Sequence, residues 1–202
     1  MELTIRQEYE NEYAMTDALI RRAFWNLFMP GCNEHYLSHL LRQSEDYVKA
    51  YSLVAILDGQ MVGQIMYSRS YIKQGNTTLP TLTFGPLSVD PQYQNQGIGA
   101  RLIEASVKLA KEAIEKAIII FGHPDYYHRF GFVACEDYDI QTSNGVKTDA
   151  FMVLPLLGPS MDLAGTFYAS TVFDKVDNML EVEKYDQSFP PLIKGEPKFH
   201  ID

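Results

Sequence analysis

The chain opens on alternation: Leu3-Thr4-Ile5-Arg6 places apolar and polar residues on opposite faces and predicts a first strand. Leu19, Ile20, Ala23, Phe24 and Leu27 then recur at helical spacing, with Thr16-Asp17 at or near the cap and Pro30-Gly31 as the break. Asn33 is placed to cap a second helix through Leu41. Tyr51 to Leu57 and Met61 to Tyr71 read as strands joined by Asp58-Gly59, a dipeptide that supplies the positive φ of a tight hairpin. Gly75-Asn76 turns the chain into a third run, Leu79 to Val89. Ile98, Leu102, Ile103, Ser106, Leu109, Ala110, Ala113 and Ile114 give a helix with one mostly apolar face. Ala117 to Phe121 is short, β-branched and continuously apolar, the pattern of a strand buried on both faces. Phe132 to Ala134 and Ala150 to Leu154 read as closing strands.

The junction between the third run and the long helix carries the chemistry. A strand ending in Leu87-Ser88-Val89 meets Pro91, and Gln94-Asn95-Gln96-Gly97-Ile98-Gly99 opens the helix. Free N–H groups at a helix start, with glycines that admit a ligand, form an anion site suited to a phosphate. Strand, crossover helix and parallel strand make a right-handed unit, and ligands of such sheets bind beyond the carboxyl ends of the strands. A dinucleotide fingerprint would need a third glycine where Leu102 stands, and a triphosphate loop would need Gly-Lys-Ser/Thr. A pair of glycines easing a tight turn is the plainer alternative.

Composition narrows the setting. A chain of 202 residues has length for one domain with an appendage. It contains no apolar run long enough to span a membrane and no basic-then-apolar leader. Cys32 and Cys135 lie too far apart to suggest a disulfide framework or thiolate metal cluster, so a cytoplasmic setting is expected. A net charge of −9 argues against a nucleic-acid backbone as partner and mildly favours a cationic one.

Gln94 to Gly99 resembles the pyrophosphate-binding Gln/Arg-x-x-Gly-x-Gly/Ala signature of the GNAT superfamily of acyl-CoA-dependent N-acyltransferases. Pro124-Asp125-Tyr126-Tyr127-His128-Arg129-Phe130-Gly131-Phe132 is similar to that family's Phe-Tyr-x-x-x-Gly-Phe segment, at the family's spacing from the glycines. The resemblance is tight over residues 80–135 and looser from 3 to about 155. It implies an α/β (α+β) fold: a mixed central sheet splayed at its parallel fourth and fifth strands, with flanking helices and a C-terminal extension. Residues 1–155 would form the N-acetyltransferase domain and 156–202 a partly ordered arm. By the same resemblance, the backbone of Leu87, Ser88 and Val89 would hold the pantetheine arm and polarise the thioester. Gln94, Asn95, Gln96, Gly97, Ile98, Gly99 and Ala100 would hold the pyrophosphate. Tyr127 falls on the family's general acid, with Tyr126 a packing or wall residue. The implied co-substrate is acetyl-CoA, the implied acceptor a small amine or peptide, and no metal, nucleic acid or membrane is involved; a homodimer is compatible with this.

The chain departs from the family pattern in two places. The fifth strand ends Gly122-His123-Pro124 where many relatives have a cofactor-contacting asparagine, and no glutamate precedes the glycines as a general base. A water relay is the default, ahead of His123, Asp125 or His128, and Asp90 before Pro91 reads as a cap. His35 and His39 stand four apart, a spacing able to bind a metal, yet without a third ligand. Trp25, Phe28 and Tyr36 belong to the segment that covers the acceptor groove in the family, as core or as wall. Met161 to Phe173 alternates weakly and 177–202 is charged and proline-bearing, so the tail is expected to add little to the core. Two other functions stay open: a non-catalytic acyl-CoA sensor or interaction module, and an acetyltransferase of protein N-termini or lysines.

Overall fold

The opening alternation forms β1 (Leu3–Gln7), followed by the helices α1 (Tyr13–Phe24) and α2 (Glu34–Arg42). α1 begins ahead of Thr16-Asp17; both residues lie inside it, 1% and 2% exposed, turned against the body of the protein instead of capping. Asn33 does occupy the N-cap position of α2. Asp58 and Gly59 take φ of 47° and 84° and join β2 (Leu53–Leu57) to β3 (Gln60–Gln74); Gly75 turns the chain into β4 (Thr77–Val89). α3 (Ile98–Glu112) crosses to β5 (Ala117–Phe121), and one helical turn, α4 (Pro124–Tyr127), follows. The strands β6 (Val133–Ala134), β7 (Ile140–Thr142), β8 (Phe151–Pro155) and β9 (Gly165–Tyr168) lead to α5 (Val172–Lys175) and α6 (Met179–Asp186). This computed structural model describes residues 2–199; residue 1 and residues 200–202, the last of the expected extension, lie outside the described residues.

The strands form one sheet in the order β1-β2-β3-β4-β5-β8-β6, with β9 bridging β3 and β7. Strands β1 to β4 are antiparallel neighbours. β4 and β5 run parallel and meet only at Leu82 and Ile118. Past Leu82 the two diverge, so residues 83–89 have β3 on one side and no strand on the other. Gln64 braces this stretch from beneath: its buried amide donates to Pro86 O at 3.0 Å and to Ser88 Oγ at 3.1 Å. α3 seals one face of the sheet through Ile98, Leu102, Ile103 and Ala110, each at most 3% exposed. Burial of such side chains contributes roughly 1.5–3 kcal/mol apiece and fixes the helix start against the end of β4.

The other face carries α1 and α2, and the segment beyond Pro155 packs onto it. The weak alternation there becomes β9, paired with β3, with Phe167 4% exposed. Val172 and Val176 join Leu37, Leu41 and Met66 in one apolar cluster. α6 is attached by Val182, which is 2% exposed, by Tyr185 packed on Tyr36, and by charge. Arg21, on α1, donates through Nε and Nη2 to both carboxylate oxygens of Asp186, at 2.6 and 3.0 Å, and through Nη1 to Pro190 O at 2.9 Å. Tyr185 donates to Asp17 at 2.7 Å, and Asp17 also accepts from Arg42, which pairs with Glu8. The tail is therefore tied to the domain by buried polar groups, which apolar periodicity does not register.

Candidate active site

Asp90 accepts a hydrogen bond from Gln92 N at 3.1 Å, capping the 3₁₀ turn Pro91–Tyr93, and is itself held by Arg22 at 2.8 Å. The loop then needs left-handed backbone at Asn95 (φ 61°) and Gly97 (φ 79°), and Gly97 is the N-cap of α3. Gln94 Nε2 reaches back to Val89 O at 3.2 Å, tying the loop to the end of β4. The first intrahelical bond of α3 runs from Arg101 N to Gly97 O, so the N–H groups of Ile98, Gly99 and Ala100 have no acceptor within the helix. Their partial positive charge suits an anion.

These donors open into a groove of about 580 Å³. Leu87 and Val89 of β4, the loop and first turn of α3, and Tyr126, Tyr127 and Arg129 line it. The divergence of β4 from β5 thus places a strand edge, a helix start and two phenols around one space. Of the residues singled out in the sequence, Ser88 and Gln96 do not line it. Ser88 is buried with its hydroxyl against Gln64, and the Gln96 amide reaches toward Gln92 O.

The Tyr126 hydroxyl lies 2.8 Å from where a Cβ on residue 99 would sit, so a side chain there would push into the phenol. The Arg129 guanidinium lies over the Tyr126 ring at 4.1 Å and over Phe130 at 4.9 Å, and makes no ion pair among the described residues. It is the charged side chain lining the groove. Tyr127 sits among Phe84, Phe132 and Tyr126, at centroid distances of 5.9, 5.7 and 5.0 Å. Burial first, and then the neighbouring Tyr126, push its phenol pKa well above the ordinary value, so it carries its proton at neutral pH. Tyr67 is fully buried and bonded to Ser106 Oγ at 3.0 Å.

None of His123, Asp125 and His128 lines the groove. The first two are 3.9 Å apart with side chains 76% and 92% exposed, and His128 Nδ1 is 2.9 Å from Phe132 O. His35 is buried against Asp186 at 3.2 Å and His39 bonds Gln43 at 2.7 Å, with both rings packed on Tyr185. Among the described residues, no cluster of three or more metal-binding side chains is present, and no helix is long and apolar enough to cross a membrane. Trp25 donates its indole N–H to Ile193 O at 2.9 Å, Tyr36 packs on Tyr185, and Phe28 contacts Phe199, so all three meet the C-terminal segment. Sequence reasoning passed over Arg129 as a groove residue, although its place in the tyrosine motif signalled it.

Residues 49–134 match the family model described as an acetyltransferase (GNAT) domain. The uncharacterized N-acetyltransferase YhbS of Escherichia coli is 32% identical over 152 residues, covering 75% of this chain and 86% of that protein. YjhQ, an uncharacterized N-acetyltransferase of the same organism, is 34% identical over 96 residues; the match covers 47% of this chain and spans about half, 52%, of that relative. Among solved structures, YhbS in complex with CoA superposes with a TM-score of 0.74 at 26% identity, over 86% of this chain and 93% of that one. A GNAT family acetyltransferase from Brucella melitensis in complex with acetyl-CoA gives 0.69 at 28% identity, over 86% and 99%.

Proposed function

The chain belongs to the GNAT acetyltransferase family, and from that premise we propose that it moves an acetyl group from acetyl-CoA to a primary amine, by direct attack within a ternary complex. One observation carries this reading: the diverging β4 edge, the unbonded N–H groups of α3 and the protonated Tyr127 phenol border the same groove. A phosphate-bearing co-substrate fits that donor set, because the groove is lined by a helix start and by Arg129 without a competing carboxylate. CoA and acetyl-CoA are bound in the YhbS and Brucella structures.

In this assignment the N–H groups of residues 98–100 and the loop from Gln94 hold the pyrophosphate, joined by the Arg129 guanidinium. Backbone groups of Leu87, Ser88 and Val89 align the pantetheine and polarise the thioester carbonyl as its oxygen gains charge. The amine adds to the carbonyl carbon, the C–S bond breaks, and Tyr127 gives its proton to the departing thiolate. The amine's proton leaves through water. Residues 1–155 carry this chemistry, and 156–202 are an extension of the same domain. Two free, buried cysteines suit the reducing cytoplasm in which we place the protein.

Calorimetric titration with CoA and acetyl-CoA, followed by thiol release across a panel of small amines and peptides, tests the assignment. Binding of both, with thiol released in the presence of an amine, is the expected result. Absence of binding would overturn it. Binding with no turnover on any amine or peptide would make the protein a sensor, and turnover on peptides alone would make it a protein acetyltransferase.

A further inference from the structure

We infer that Gly122 is a positioning residue for the general acid: the bare backbone at the end of β5 is the seat on which the Tyr127 ring lies. The inference rests on the proposed role of Tyr127, and its first observation is steric. A Cβ on Gly122 would overlap Tyr127 Cε2 and stand 2.6 Å from Cδ2 and 3.2 Å from Cζ. Non-bonded carbons meet at about 3.5–4.0 Å, so even one methyl group cannot share the space with the ring. The φ of Gly122 lies outside the left-handed region, so other residues could adopt its backbone. Glycine is needed there for room rather than for conformation.

The ring has little freedom to yield. Gly122 N donates to Ala150 O at 2.9 Å, which fixes the seat to the segment entering β8. Tyr127 N donates to His123 O at 3.2 Å, which fixes the backbone that carries the ring. Phe84, Phe132 and Tyr126 close the other sides. A methyl group on residue 122 must therefore drive the side chain to another rotamer, moving the hydroxyl within the groove that Tyr127 lines together with Leu87 and Val89. The pyrophosphate donors lie on α3 and are untouched by that movement. Gly122 thus acts on proton delivery and leaves cofactor affinity alone.

Four proteins test this: wild type, Gly122→Ala, Tyr127→Phe and Gly122→Ala with Tyr127→Phe, assayed with whichever amine gives thiol release. Gly122→Ala should lower kcat by about the same factor as Tyr127→Phe, in the 10²–10⁴ range of general acid catalysis, with acetyl-CoA Kd within about threefold of wild type. The double variant should be no slower than the slower single one, because the phenol is lost or misplaced only once. A Gly122→Ala enzyme within about threefold of wild type, beside a slow Tyr127→Phe enzyme, would overturn the inference while sparing the general acid. A fast Tyr127→Phe enzyme would instead remove the acid on which the inference rests. A Gly122→Ala protein that loses CoA binding would also overturn it. Should Gly122→Ala fail to fold, urea unfolding of Tyr127→Ala with and without Gly122→Ala decides: with the ring gone, equal midpoints support the seat, and a second loss of folding rejects it.

Discussion

Replacing Asp186 with alanine isolates the attachment of α6. The Arg21 side chain is 5% exposed and that of Asp186 21%, and the pair is bidentate. Removing the carboxylate leaves a guanidinium in a site with Pro190 O as its other acceptor and the rings of Trp25 and Phe189 nearby. Breaking a buried pair from one side costs about 3–5 kcal/mol, and solvent access to Asp186 places this one near 3. For a domain of this size that corresponds to a melting temperature lower by roughly 6–12 °C. Arg21→Met together with Asp186→Ala should recover much of the loss, since no charge is then stranded. Scanning calorimetry of the two single variants and the double one measures the coupling. A drop under about 2 °C for Asp186→Ala, or additive losses in the double variant, would refute the argument that this pair holds the extension down.

Burial is the main reason that the His35 imidazole stays neutral, with its pKa pushed down to about 4 from the ordinary 6.5. Between those values the unfolded chain binds a proton that the folded protein excludes, so the contribution is complete above about pH 6.5 and disappears as the pH falls towards 4. Urea midpoints measured across that window should fall with acid, and His35→Gln should flatten the slope. CoA at 100 times its dissociation constant should stabilise the protein by about 2.7 kcal/mol; Gly97→Val, which forces a β-branched residue to φ 79°, should abolish the shift seen in a thermal melt. Arg129→Gln should raise the Kd for CoA by about tenfold or more, the scale of one charge-assisted hydrogen bond, and an unchanged calorimetric Kd would remove Arg129 from the cofactor site.

What could be read from the chain divides along sequence distance. Asp58-Gly59, the run from Gln94 to Gly99 and the span from Ala117 to Phe121 announce a hairpin, a helix start and a buried strand, because each depends on neighbours in sequence. The candidate-site pattern was legible because Leu87, the glycine loop and Tyr127 fall within one short stretch of chain, on β4, the start of α3 and α4, and all three line one groove. The divergence of β4 from β5 has no local signature, since Thr83 to Val89 looks like any strand with a partner on both sides. Gly122 is likewise silent until the ring of Tyr127 is placed against it. Thr16-Asp17 read as a cap or as an early helical pair, because acidic and hydroxyl residues favour helix starts, and the pair does sit early in α1. Asp17 is the acceptor for Arg42 and Tyr185, partners 25 and 168 positions away.

The ion pair between Arg21 and Asp186 joins positions 165 residues apart, which gives it a temporal meaning during synthesis. At about 5–20 residues per second, α1 leaves the ribosome roughly 8–33 s before its acidic partner exists. Through that interval Arg21 must remain hydrated, while Asp17 already has Arg42 as a partner, and the face of α1 and α2 that later receives α6 stays open to chaperones or to neighbouring nascent chains. The groove-bearing sheet and α3 are translated well before then. Ribosome-bound chains stalled before residue 179 should therefore present the glycine loop while the α1–α2 face is still uncovered.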